Sequence, residues 1–327
     1  MKEMKFCVNL SFFGQRRDRF TVYQPVRTLE EKFKLASQIN EIRGVELKYP
    51  FDLKDISLAK KLLNDSGLTC SAVNVDIKDA TYFRNGALSA QSKAARDRAI
   101  GLLREGMDIA AELGCDMIST CPLADGYDYP FQINYKRAWE HFIESVKEVA
   151  TYRSDIKLAL EYQPHEPHAR ILLRNVGMAL YVCSEADKAN VGINFDVGHS
   201  FAAIESPAES LSLLDSNKRL FYIHTNDNTG DGGDWDMISG TVHFWHWIEL
   251  IYTLGKINYN GWLGGDIAPK HTDPDKAFRT NFRILLRMNR FIDKVGSDKI
   301  SQILSRNTDI SETFDMLSRK LFEKEGR

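Results

Sequence analysis

Cysteine is sparse and unpatterned: five in 327 residues, an odd number with no C-x-x-C spacing, which argues against a disulfide framework and a thiolate zinc site. Cys7, Cys70, Cys115, Cys121 and Cys183 fall mostly inside apolar runs, where a free thiol packs as a small hydrophobe. An excess of one charge is also missing. Forty-three Lys and Arg against 45 Asp and Glu leave a net −2, so no positive field exists to hold a polyanion, and a nucleic-acid partner is disfavoured. No apolar run reaches the roughly 18 residues of a membrane helix, and the N-terminal segment lacks the apolar stretch and small-residue cleavage site of a signal peptide. A cytoplasmic protein with no membrane partner is expected. No linker rich in Pro, Gly or Ser divides the chain, which favours one large catalytic unit over two domains.

What is present is an alternation of short β-type runs with longer amphipathic ones. The strand candidates are KFCVNL (5–10), GVELKY (44–49), LTCSAVNV (68–75), CDMISTCP (115–122), KLALEYQ (157–163), NVGINFDV (190–197), RLFYIHTN (219–226) and GWLGGDI (261–267). Helical patterns cover 29–41, 89–113, 135–151, 171–186, 244–254 and 276–291. Eight strands alternating with helices predict a (β/α)8 TIM barrel over 1–292. The remainder, 293–327, is polar with Phe314, Leu317 and Leu321 spaced for one helix face, and is expected to form a C-terminal helical extension packed on the barrel or on a second subunit.

A barrel gathers the carboxyl ends of its strands at one face, where the loops build the active site. Four consecutive strand candidates end in a ligand-type residue: Glu161, Asp196, His224 and Asp266. Any one of them is an ordinary polar residue at a strand end. Together they would repel and desolvate one another unless a divalent cation neutralised them, so a metal site follows. A second group lies nearby: His199, three residues after Asp196, and Asp234 with Asp236 in a DWD. The two aspartates point the same way if that segment is extended, and the three residues are expected to hold a second ion, although NTGDGGDWD also reads as a Gly/Asp turn cluster. His165, His168 and His271 lie in loops at the same face, within reach of a bound ligand or simply solvated. Tyr127, Tyr129 and Phe131 divide between lid and packing, the Phe244, Trp245, Trp247 and Tyr252 cluster reads as core or interface, and Glu46 faces the pocket with no role assigned.

The segments LEYQPHEP, NFDVGHS, IHTNDN, DWDMISG and GDIAPKHTDP, spanning 160–274, occur in the order and approximate spacing of xylose isomerase and its TIM-barrel relatives, which the chain resembles. LADGYDYPFQ (123–132) is similar to a loop of a bacterial L-rhamnose isomerase subgroup whose metal set includes a strand-seven histidine. The resemblance implies that Glu161, Asp196, His224 and Asp266 hold a structural, substrate-binding metal, and that His199, Asp234 and Asp236, with Asp196 bridging, hold a catalytic one. Glu161, Asp196, Asp236 and Asp266 would carry the catalysis, with Lys48, Gln163, His165, His199 and His271 contacting the sugar. Mn²⁺ is the implied ion, with Mg²⁺, Co²⁺ or Zn²⁺ as alternatives, one or two per subunit, and no organic cofactor. The expected activity is aldose–ketose isomerisation by metal-assisted hydride shift. The alternative is a one-metal sugar epimerase, or a keto-sugar dehydratase or lyase, acting by proton abstraction. A small sugar is the expected partner, and a homodimer or homotetramer the expected assembly.

Five positions depart from the family pattern. Gln163 stands where a lysine polarises the carbonyl, Lys48 near a ring-opening histidine, Cys121 and Pro122 at a stacking tryptophan, and Asn226 at an aspartate ligand. A DNA-repair endonuclease of the same superfamily is disfavoured by the charge balance. A sugar-binding barrel without turnover is the non-enzymatic alternative.

Overall fold

A computed structural model describes residues 3–17, 20–166, 169–231, 233–306 and 309–323. Eight parallel strands close into a barrel in sequential order: β1 (Lys5–Asn9), β2 (Ile42–Tyr49), β3 (Thr69–Val75), β4 (Met117–Thr120), β5 (Lys157–Glu161), β6 (Val191–Asp196), β7 (Leu220–Thr225) and β8 (Trp262–Gly265). Closure is made by β1, which pairs β2 on one side and β8 on the other. Outside lie α1 (Leu29–Ala36), α2 (Ile56–Ser66), α3 (Lys93–Glu112), α4 (Tyr135–Tyr152), α5 (Val176–Ala186), α6 (Pro207–Ser216), α7 (Phe244–Lys256) and α8 (Pro274–Val295). The chain is therefore a TIM barrel. No helix among the described residues is long and apolar enough to cross a membrane.

Side-chain capping sets several helix starts. Thr28 and Glu31 form a reciprocal capping box on α1, while Asp55, Ser92, Asn134 and Asn175 accept backbone N–H bonds at the heads of α2, α3, α4 and α5. The caps at Ser92 and Asn175 explain why α3 and α5 begin later than their apolar patterns at 89 and 171. Residues 169–171 instead form the central strand of a small antiparallel sheet, between Gly126–Tyr127 and His165–Glu166. α1 ends at Ala36, short of the predicted 41, because the chain turns so that Ile39 and Ile42 enter the core. α2 and α6 have no counterpart among the predicted stretches. α8 runs to Val295, past the boundary drawn at 292, and is followed by α9 (Ser297–Ser305) and α10 (Ile310–Phe322). Neither α9 nor α10 buries a residue fully; Phe314 meets Trp245 of α7 edge-on at 5.4 Å.

The apolar core lies between strands and helices. Phe6 stacks on Phe282 of α8 at 4.7 Å, and Val8, Val45, Leu47, Ile193, Phe195 and Ile223 are fully buried. The barrel interior is polar. Near its floor the Tyr222 hydroxyl meets Cys7 Sγ at 2.9 Å and Ser71 Oγ at 2.8 Å. Above them stand Glu46, Ser119 and His224, then Asn9, Lys48, Asn74, Glu161, Asp196 and Asp266 at the mouth. Trp247 and Tyr252 of the aromatic cluster belong to the core.

Candidate functional site

Glu161 ends β5, Asp196 ends β6, His224 lies one residue from the end of β7, and Asp266 follows β8. Each is at most 9% exposed. One donor atom from each falls within 4.8 Å of the others. His224 Nδ1 lies 3.3 Å from Asp266, 3.4 Å from Glu161 and 3.7 Å from Asp196. Two donors each about 2.1 Å from a common ion stand roughly 3 to 4 Å apart, so this oxygen-rich quartet fits a divalent cation.

The surrounding residues fix the quartet's orientation. His224 Nε2, on the far side of the ring, is 2.8 Å from Glu46 Oε2, and Glu46 Oε1 accepts from Asn74 and Ser119, both at 2.8 Å. This arrangement of a carboxylate on the remote nitrogen leaves Nδ1 free to face a metal. Asn194 Nδ2 donates to Glu161 Oε2 at 3.0 Å and lies 3.1 and 3.4 Å from the two ring nitrogens of His224, a position over the ring and not along a lone pair. Asn9 donates to Asp266 at 3.1 Å and Asn226 to Asp196 at 2.7 Å. Asp196 also accepts the His199 N–H at 2.8 Å, capping the short helix Val197–Ala202. That capping bond accounts for the three-residue spacing between Asp196 and His199. At Gly198 a Cβ would fall 1.9 Å from Asn226 Oδ1, so a side chain there would displace the amide that orients Asp196.

Electrostatics agree with a missing positive charge. Burial, reinforced by neighbouring carboxylates, pushes Asp196 up to about 6 and Asp266 up to about 7. Burial also opposes ionisation of Glu161, but the imidazoles of His224 and His199 bring it down to about 2. Both histidines, despite burial, are raised well above the ordinary imidazole value by the carboxylates around them. Without a cation, protons hold this cluster together; a cation takes their place.

The quartet's Glu161 and Asp266 form part of the wall of a cavity of about 180 Å³, partly open to solvent. His199, Asp234, Asp236, Gln163, Lys48 and Cys121 also line it. His199 Nδ1 meets the Tyr162 carbonyl at 2.9 Å, and Nε2 lies 3.5 Å from Asp234. However, His199, Asp234 and Asp236 form no cluster of three converging donors among the described residues. The extended DxD geometry does not occur: Asp236 has a φ of 46°, a left-handed turn conformation. A different trio, Cys121, Glu161 and His199, does converge.

His165 and His271 are not among the described residues lining the cavity, and His271 is exposed. His168 lies outside the described residues. Tyr129 and Phe131 project into solvent, whereas Tyr127 packs edge-on against Tyr135 at 5.1 Å. Asn9, Arg16, Asn74 and Lys78 line the cavity without having been singled out by sequence. Glu46 proves to be the partner of His224.

Comparison with known proteins places these features in a lineage. A family model described as a xylose isomerase-like TIM barrel matches residues 33–288. The chain is 27% identical over 227 residues to the xylose isomerase of Thermus thermophilus, covering 68% of this chain and 56% of that protein, so it spans little more than half the relative's length. Among solved structures it is similar to a D-tagatose 3-epimerase-like protein, with a TM-score of 0.70 and 20% identity over 88% of this chain and all of the other. It is also similar to the D-psicose 3-epimerase of Clostridium cellulolyticum H10, with a TM-score of 0.64 and 17% identity over 88% of this chain and 99% of the other. At these identities the structural likenesses establish the fold.

Proposed function

The chain belongs to the xylose isomerase-like TIM-barrel family, and from that premise we propose that it is a divalent-metal-dependent epimerase of keto sugars, working with one ion and by proton transfer beside the carbonyl. The observation that carries this reading is the convergence of Glu161, Asp196, His224 and Asp266 on one point, with no matching convergence of His199, Asp234 and Asp236 among the described residues. Two structurally similar proteins, a D-tagatose 3-epimerase-like protein and a D-psicose 3-epimerase, agree with that reading.

These four residues would hold the ion, which when bound polarises the sugar's carbonyl and adjacent hydroxyl oxygens. The chain's own groups do the rest. Glu161 and Asp266 reach the same cavity from strands three places apart in the barrel. One carboxylate removes the proton from the carbon next to the carbonyl, and the other returns a proton to the opposite side, which inverts that centre. Asn9 Nδ2 positions Asp266, and Asn194 Nδ2 positions Glu161. Gln163, whose Nε2 donates to the His165 carbonyl at 3.3 Å, presents an uncharged amide to the cavity where classical family members are expected to use a lysine. Polarisation by a side-chain cation at that position is thereby lost.

The test is turnover of ketopentoses and ketohexoses by the Mn²⁺-loaded protein in deuterium oxide, together with metal analysis. One ion per chain and deuterium at the inverted carbon are expected. The aldose–ketose hydride shift is the second reading, favoured by the likeness to the Thermus enzyme and by Asp234 and Asp236 lining the cavity. Two ions per chain, with a C2 label passing to C1 without exchange, would establish it and refute proton transfer.

A further inference from the structure

The charged groups of the cavity are sorted by strand. Carboxylates come from the half built by β5 to β8: Glu161, Asp234, Asp236 and Asp266. Cations come from the opposite half: Arg16 after β1, Lys48 on β2 and Lys78 after β3. In that half Glu46 is engaged by His224, Asn74 and Ser119 and Asp52 by Lys32, and the carboxylate that meets the cavity's cations is that of Asp76. Its carboxylate is 3.0 Å from Lys48 Nζ and accepts the Lys78 N–H at 2.9 Å. A neutral ketose has oxygens for the metal end and nothing that calls for three cations at the other.

We propose that the substrate is an acidic keto sugar, carrying a carboxylate or phosphate on the end remote from the reacting carbons, and that Arg16, Lys48 and Lys78 receive that group. This rests on the reading of the cavity as a keto-sugar site. The cations are held in place for the role. Arg16 sits on a short hairpin, Arg16–Arg17 with Val22–Tyr23, and its guanidinium lies 4.3 Å over the Phe12 ring. The hairpin's exit is tied across the mouth by Gln24, which donates to the carbonyls of Pro269 at 2.9 Å and Thr272 at 3.0 Å. Lys48 is directed by Asp76, with a side chain only 20% exposed. Burial first, then the nearby charges of Lys78 and Arg16, holds its amine below the ordinary lysine value, against the opposing pull of Asp76. An oxyanion placed among the three relieves that repulsion and gains charge-assisted hydrogen bonds.

The rival explanation is that the cations merely offset the acidic half, and the experiment separates the two. The Mn²⁺-loaded protein is titrated calorimetrically with each 2-ketohexose in three forms: neutral, 6-phosphate and 6-carboxylate. A charged member should bind about tenfold or more tightly than its neutral counterpart, the equivalent of one charge-assisted contact. The winning series tells phosphate from carboxylate. Arg16→Gln and Lys78→Gln should each remove most of that preference and leave Mn²⁺ affinity unchanged. Equal binding of neutral and charged members, binding of no charged member, or variants that lose metal and sugar in parallel would overturn the proposal. Preference for a charged sugar without turnover would leave it standing and remove the epimerase reading. Turnover of neutral ketoses with no such preference would do the reverse.

Discussion

The bond between Glu46 and His224 makes a quantitative prediction about metal affinity. Glu46 is fully buried; Oε1 accepts from Asn74 and Ser119, and Oε2 faces His224 Nε2, all at 2.8 Å. Glu46→Gln keeps the volume and replaces one acceptor oxygen with an amino group. If the remaining oxygen keeps its two donors, the amino group confronts the Nε2–H, and two donors face each other. With the ion on Nδ1, the atom 3.3 to 3.7 Å from the three carboxylates, the ring's remaining proton must sit on Nε2. The metal-bound wild-type ring donates that proton to Glu46, whereas the variant's ring must keep the clash or reorient. Loss of such an orienting partner costs 10- to 100-fold in metal affinity, about 1.4 to 2.8 kcal/mol. Competition between the protein and a chelating dye for Mn²⁺ at neutral pH measures it, with circular dichroism confirming that the metal-free variant is folded. A folded Glu46→Gln chain with wild-type affinity would show that His224 Nδ1 does not bind the ion.

Two further predictions test the electrostatics and the scaffold. Asp196 and Asp266 are raised to about 6 and about 7, by burial first; the folded metal-free chain holds these protons more tightly than the unfolded one, so stability falls as pH rises through that range. A cation removes the penalty, so the gap between Tm with Mn²⁺ and Tm in chelator should widen from about pH 5.5 to about pH 8, and a constant or narrowing gap contradicts the assignment. Asp125, fully buried, accepts from the Ala87, Leu88 and Ser89 amides and the Ser89 hydroxyl at 2.6 to 3.1 Å. Asp125→Asn turns an amino group on those donors and should cost about 2 to 3 kcal/mol in urea unfolding with Mn²⁺ affinity unchanged; a smaller loss would mean the loop simply re-forms around water.

The convergence of Glu161, Asp196, His224 and Asp266 was legible because parallel strands in a closed barrel deliver their carboxyl ends to one face, so ligand-type residues ending consecutive strands must meet. His199, Asp234 and Asp236 were less legible because their placement depends on loops. A capping bond sets His199 beside Asp196, and a left-handed residue at Asp236 replaces the extended segment that would have aligned the DWD. Two helices escaped for a related reason. In α2 adjacent lysines, and in α6 interleaved serines, interrupt the apolar stripe on which the periodicity argument depends.

Glu46 and Asn194 had a signal in the sequence that alternation alone misreads. In an ordinary half-exposed strand, every second residue is polar because it faces water. Here Cys7 and Asn9, Glu46 and Lys48, Asn194 and Asp196, and Tyr222 and His224 each stand two apart, and the residues between them, Val8, Leu47, Phe195 and Ile223, are fully buried. The helices cover the outer face of every strand, so the apolar members must point outward into that layer and the polar members inward. A barrel interior is ordinarily filled with branched apolar side chains. A polar interior leaves each buried donor and acceptor in need of a partner, which the bonds from Asn74 and Ser119 to Glu46 and from Glu46 to His224 supply. Once the fold is read as a barrel, a carboxylate between two apolar residues in mid-strand can only be serving a cation or a donor in the interior, and His224 on β7 is the residue it serves.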